Sequence, residues 1–168
     1  THTLEALTTL AETYLPGSRW SEQQADPEVV QEAQQRIERA IRVRAMRWHE
    51  LGQRDSQMPR FEQAVGAYAL YLEHFPDDEH AYQLRFYRAE ILFHRLERFP
   101  EAGEEYLAAA HQRPDGEHTR DALYNAIGAF EHVREGQLEE CARVRAAGGA
   151  TAARPATTTT PPTPPATP

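Results

Sequence analysis

The feature that most constrains this chain is a repeat. Two segments, Phe61 to Phe93 and Phe99 to Glu131, align without a gap at a spacing of 38 residues. The matched pairs include Phe61/Phe99, Ala64/Ala102, Tyr68/Tyr106, Pro76/Pro114, Asp77/Asp115, Glu79/Glu117 and His80/His118. The same spacing links the aromatics Trp48, Phe86 and Tyr124, and then Leu51, Ala89 and Ile127. Gly52 and Gly128 share a column that Glu90 interrupts. A period of this length marks a supersecondary unit that cannot bury its apolar side alone, so neighbouring units must stack.

Within each unit the apolar residues recur at three and four apart, as in Phe86, Ala89, Phe93 and then Ala102, Tyr106, Ala109, which is the period of a helix. No alternating β-branched run suggests a strand. Pro76 and Pro114 end helices, and the P-D-x-E-H segments after them supply turn residues. The pattern predicts helices over about 3–14, 28–54, 59–74, 80–97, 100–113, 117–134 and 136–146, with an irregular loop over 15–27. The periodicity decays at the end, where Gln137, Glu140 and Val144 stand in the Phe, Ala and Tyr columns. A terminal repeat, whose outer face meets water, is expected to decay in this way.

Composition sets further bounds. Residues 148–168 contain Pro, Thr, Ala and Gly with a single Arg and no large apolar side chain, so they are expected to form a disordered linker. The net charge of −8 argues against a nucleic-acid partner. All basic residues are Arg, consistent with a GC-rich coding sequence. The lone Cys141 excludes an internal disulfide framework. No apolar run approaches the ~20 residues of a membrane span. The chain opens on Thr1, from which a processed or trimmed piece is expected.

Trp48-x-x-Leu51-Gly52, Phe61-x-x-Ala64-x-x-x-Tyr68 and Pro76 together resemble a tetratricopeptide repeat. Phe86, Ala89, Phe93, Phe99, Ala102, Tyr106, Ala109 and Pro114 resemble a second copy, and Tyr124-x-x-Ile127-Gly128 opens a third. The unit is four residues longer than the usual ~34, in the turn after each proline. That length resembles the bacterial envelope subclass, including the outer-membrane assembly lipoprotein and the Tol–Pal coordinator, and some myxobacterial repeat proteins. The resemblance implies an all-α, right-handed α-α superhelix of about three helix pairs (46–78, 83–116 and 121–147) preceded by N-terminal helices and a loop over 1–45. Glu90, standing where a small residue is usual, implies looser packing at that helix contact.

The resemblance also implies a function: a non-catalytic scaffold that binds a peptide or helix of another protein in a concave groove. The implied compartment is the bacterial envelope, in the periplasm, with the cytoplasm as alternative. The first helix of each unit would line the groove, which nominates Met46, His49 and Gln53, then Leu84, Tyr87, Ile91, His94 and Arg95, then Asn125 and His132. The rival arrangement is an oligomerisation module whose groove is filled by the chain's own N-terminal helix, with Leu84, Tyr87 and Ile91 packed inside. A third possibility is a recruitment domain of a larger regulatory or enzymatic protein. The family's basic clamp for a terminal carboxylate would fall on His49, Gln53, Arg88, Ala122 and Ala126, a poor set for it. Glu90, His94 and His132 form the best candidate metal cluster, but three ligands are the minimum for zinc, and a surface pair is the simpler reading. No cofactor is expected. Only Ser18, Ser21 and Ser56 are serines, no P-loop or H-E-x-x-H occurs, and Cys141 lies among acidic neighbours that disfavour a thiolate. No catalytic residue is nominated.

Overall fold

The computed structural model describes residues 2–152, with side chains over 3–147. Every regular element among the described residues is helical: α1 His2–Tyr14, α2 Arg19–Glu22, α3 Pro27–Asp55, α4 Met58–His74, α5 Ala81–His94, α6 Phe99–Gln112 and α7 Thr119–Ala152. None is long and apolar enough to cross a membrane. The chain divides into two compact units, residues 1–133 and 134–168.

The helix starts and stops follow local chemistry. Asp26 caps α3 by accepting from the Glu28 N–H at 2.9 Å, and Pro27 takes the first turn, where its missing N–H costs nothing. Pro59 and Pro100 occupy the same kind of position in α4 and α6. Ser56, at φ 50°, turns the chain between α3 and α4 in two residues. Glu97, at φ 53°, does so between α5 and α6, where the Arg98 N–H reaches back to the Leu92 carbonyl at 2.9 Å.

In the first unit α3 packs most extensively on α4, and α5 on α6. The two hairpins meet through α4 and α5, and α1 lies on α3 and α4. The core is the repeat's own set of columns. Ala64, Ala102, Tyr68, Tyr106 and Ala89 have no exposed surface, and Trp48 is 3% exposed. Small residues set how closely the helices approach. A Cβ on Gly52 would stand 2.9 Å from the buried Phe61 ring, and one on Gly66 would stand 2.7 Å from Leu4 of α1.

Acidic and tyrosine side chains lock the hairpins. Tyr71 donates its hydroxyl to Glu38 of α3 at 2.8 Å and to Asp78 of the following turn at 2.5 Å. Asp78 in turn accepts from the His80 N–H at 2.9 Å. In the next turn the same task is done differently. The His118 N–H donates to the Tyr82 hydroxyl at 2.7 Å. Gly116 stands where the first turn has Asp78, since any Cβ there would lie 2.4 Å from that hydroxyl oxygen.

Two expectations fail. The loop expected over 15–27 contains the short helix α2, which Ser18 caps by accepting from the Ser21 N–H at 3.2 Å. The two helices predicted over 117–134 and 136–146 form the single helix α7, so the third unit has no second helix turned back upon its first. A lone glycine such as Gly136 costs a helix only about 1 kcal/mol, and no proline follows to force a turn. Gln137 and Glu140 also offer no apolar face to fold against. Residues 134–147, in the second unit, are all exposed. Helix α7 extends over 148–152, the start of the expected disordered linker, and residues 153–168 lie outside the described residues.

Three substitutions test this packing. Trp48→Ala should destabilise the chain by about 3–5 kcal/mol through the cavity it leaves, read by urea denaturation; a change within error would remove Trp48 from the core. Gly52→Ala should also destabilise, by about 1–3 kcal/mol from overpacking, although alanine favours helix. Gly136→Ala, with open space around its Cβ position, should do the opposite.

Candidate functional site

Tyr68 has no exposed surface, and a phenol hydroxyl buried in this way needs a polar partner. Helix α3 supplies one, with His49 Nδ1 lying 3.1 Å from the Tyr68 hydroxyl. Gln53, one turn further along α3, brings its amide nitrogen to within 3.0 Å of His49 Nε2. The arrangement suits a neutral imidazole: the amide donates to Nε2, and the proton on Nδ1 is donated to the tyrosine oxygen. The His49 ring also meets Tyr87 of α5 edge to face at 5.9 Å between centroids.

The next repeat unit solves the same problem with other groups. Tyr106, also without exposed surface, donates to Glu90 of α5 at 2.5 Å. Glu90 Oε1 further accepts from Asn125 of α7 at 3.1 Å. The residue that breaks the glycine column is therefore hydrogen-bonded to Tyr106 and Asn125. Burial, and for Tyr106 also the bond to Glu90, pushes both tyrosine pKa values far above their ordinary range.

These groups line two adjoining hollows on one face of α3, α4 and α5. The first, about 290 Å³, is bounded by Met46, His49, Glu50, Gln53, Tyr68 and Tyr87. The second, about 130 Å³, is bounded by His49, Gln53, Phe61, Glu90, Ile91, His94 and Arg95. Each is smaller than the ~300–1,000 Å³ of a typical small-molecule pocket and accepts a side chain or two. Arg95 lies over the Phe61 ring at 5.5 Å, with its own side chain exposed.

Of the residues nominated from sequence, Met46, His49, Gln53, Tyr87, His94 and Arg95 come together here. Two nominations are corrected. Leu84 and Ile91 are each only 1% exposed: Leu84 is core, and Ile91 contributes a floor with almost no accessible surface. Both face inward because α5 is packed on one side by α4 and on the other by α6. Asn125 is joined to the site only through Glu90 and Tyr106. His132 lies elsewhere, stacked on Phe99 at 4.3 Å and 15°. Tyr68, Phe61 and Glu50 were missed. The signal for Tyr68 was present in the repeated tyrosine column, whose buried hydroxyls must find partners on the facing helix.

Among the described residues, metal chemistry has one geometric candidate. Glu38, Asp78 and His80 bring ligand atoms within 4.8 Å of one another. The two carboxylates already have partners, however: Arg42 Nε donates to Glu38 at 2.6 Å, and Tyr71 and the His80 backbone N–H serve Asp78, while the His80 ring stands 3.7 Å from Glu79. The cluster reads as a lock between α3 and the turn after α4. His94 Nε2 approaches Glu90 at 3.6 Å, an ordinary one-turn pair that His132 does not join.

Compared with family models, with curated proteins and with solved structures, the chain matches none.

The site carries a pH signature. Burial first, and then the charge of Arg95, lower the pKa of His49 from 6.5, against an opposing pull from Glu90. Its contribution to stability is therefore full above pH 6.5 and is lost as pH falls through that value toward the lower folded one. Urea denaturation at paired pH values should show the wild type losing more stability on acidification than His49→Gln, whose side chain cannot protonate. Equal losses would contradict a neutral, buried imidazole.

Proposed function

We propose that this chain is a tetratricopeptide-type scaffold whose α3–α4–α5 face holds a peptide or a helix of another protein, without catalysis of its own. The observation that carries this reading is the pair of hollows whose linings come from consecutive repeat units. Their size suits successive anchoring side chains of one bound segment. Met46 and Tyr87 offer apolar contact, while Gln53, His94 and Arg95 offer hydrogen bonds and charge at the rim. No residue of α1 lines either hollow, which favours a groove open to a partner over one filled by the N-terminal helix. The repeat register, with about three units in a right-handed superhelix, is part of the same proposal. So is the envelope compartment, which rests on the length of the turn after each proline.

The test is affinity capture with the tagged chain from its host, set beside a Tyr87→Ala, His94→Ala, Arg95→Ala variant. Tyr87 is half-buried and accepts from the Gln83 side chain at 2.8 Å, so Tyr87→Ala should cost far less stability than Trp48→Ala. A protein retained by the wild type and lost from the folded variant is the expected result. Equal retention by both would move the interface off this face.

A further inference from the structure

Helix α7 presents an apolar surface that its counterparts in the earlier units bury. Tyr124 is 77% exposed, whereas Trp48 and Phe86, its equivalents in the repeat, are 3% and 9% exposed. Ile127 is 62% exposed, whereas its equivalent Ala89 has no exposed surface. The difference lies in the second helix of the hairpin. Helix α4 packs on α3 and α6 on α5, and across the latter pair Phe86 meets Tyr106 at 5.8 Å. Helix α7 runs on to Ala152 instead of turning back, so among the described residues this side of it is left as an exposed seam.

The seam consists of Arg120, Tyr124, Ile127 and Glu131, all exposed and spaced four, three and four residues apart. They share one side of α7, away from Ala122, Ala126 and Ala129, which are buried. This order is self-complementary. When two such seams lie antiparallel, Tyr124 of one copy meets Ile127 of the other, and Arg120 meets Glu131. A two-fold axis makes each pairing occur twice. A parallel arrangement would oppose like charges. Leu123, 45% exposed, adds apolar area at the flank. The chain's own later residues suit the seam poorly, because Gln137 and Glu140 stand in the columns of Phe61 and Ala64 and the Pro-Thr stretch has no large apolar side chain.

We propose that α7 is a dimerisation face, on which the α7 of a second copy serves as the covering helix. The proposal is independent of the groove. The apolar seam is short, so the dimer should be weak and reversible on dilution.

Sedimentation equilibrium of the full chain tests this over a wide concentration range, with circular dichroism confirming that each variant is folded. The wild type should associate to a dimer and no further. Ile127→Glu should raise the dissociation constant by about tenfold or more, because it buries a charge at the centre of the seam. Arg120→Glu and Glu131→Arg should each weaken the dimer, and the double reversal should restore it. That rescue is specific to contact between copies, since residues 120 and 131 are three turns apart on one helix, about 16 Å. Tyr87→Ala should leave association unchanged. A monomer at every concentration, a dimer indifferent to Ile127→Glu, or a double reversal that fails to rescue would each overturn the proposal.

Discussion

The need of buried tyrosine hydroxyls for partners organises this fold. Tyr68, Tyr71 and Tyr106 have no exposed surface, and Tyr82 has 4%. Each hydroxyl leaves water on folding and costs a few kcal/mol unless it is bonded again. Each therefore reaches across to another element. Tyr68 joins α4 to α3 through His49, and Tyr71 joins α4 to Glu38 of α3 and to the next turn. Tyr106 joins α6 to Glu90 and thence to α7, and Tyr82 joins α5 to the start of α7. Apolar burial brings the helices together; these bonds fix their register, because a one-turn slip would strand the hydroxyls.

This constraint also divides the residues of the candidate groove. His49 and Asn125 look like recognition residues in the sequence, yet each is bonded within the fold, His49 to the buried Tyr68 hydroxyl and Asn125 to the Glu90 carboxylate. Met46, Gln53, His94 and Arg95 are exposed and have more freedom to meet a partner. Gln53 stands between the two groups, since its contact with His49 holds a ring rather than a buried hydroxyl. A bound segment that pulled Gln53 away would leave His49 less well held, which couples occupancy of the groove to the protonation of that ring.

Much of the fold was legible because the repeat reports itself twice. Of the columns Phe61/Phe99, Ala64/Ala102 and Tyr68/Tyr106, five members are exposed by 2% or less and Phe99 is half-buried. Helix starts at Pro27 and Met58 and stops near Pro76 and Pro114 followed from capping and proline chemistry. The continuity of α7 was not legible, since a glycine at 136 permits a turn without compelling one. The inward placement of Leu84 and Ile91 was anticipated only in the rival arrangement, where they pack inside. A helical period of three and four shows which residues share a face, but helix α5 is packed on two sides, and the sequence alone does not say which face stays open. Glu90 looked like a defect in a column because its meaning lies in Tyr106, sixteen positions away.

The central claim is that the face shared by α3, α4 and α5 holds another protein. Site-specific photocrosslinking tests it most directly. A photoreactive residue would replace Gln53, at the junction of the two hollows, and in a parallel sample His111, exposed on α6 away from them. The account predicts a discrete crosslinked partner from position 53, reduced by Tyr87→Ala, and none of the same species from position 111. The same partner captured equally from both positions, or captured only from 111, would contradict it.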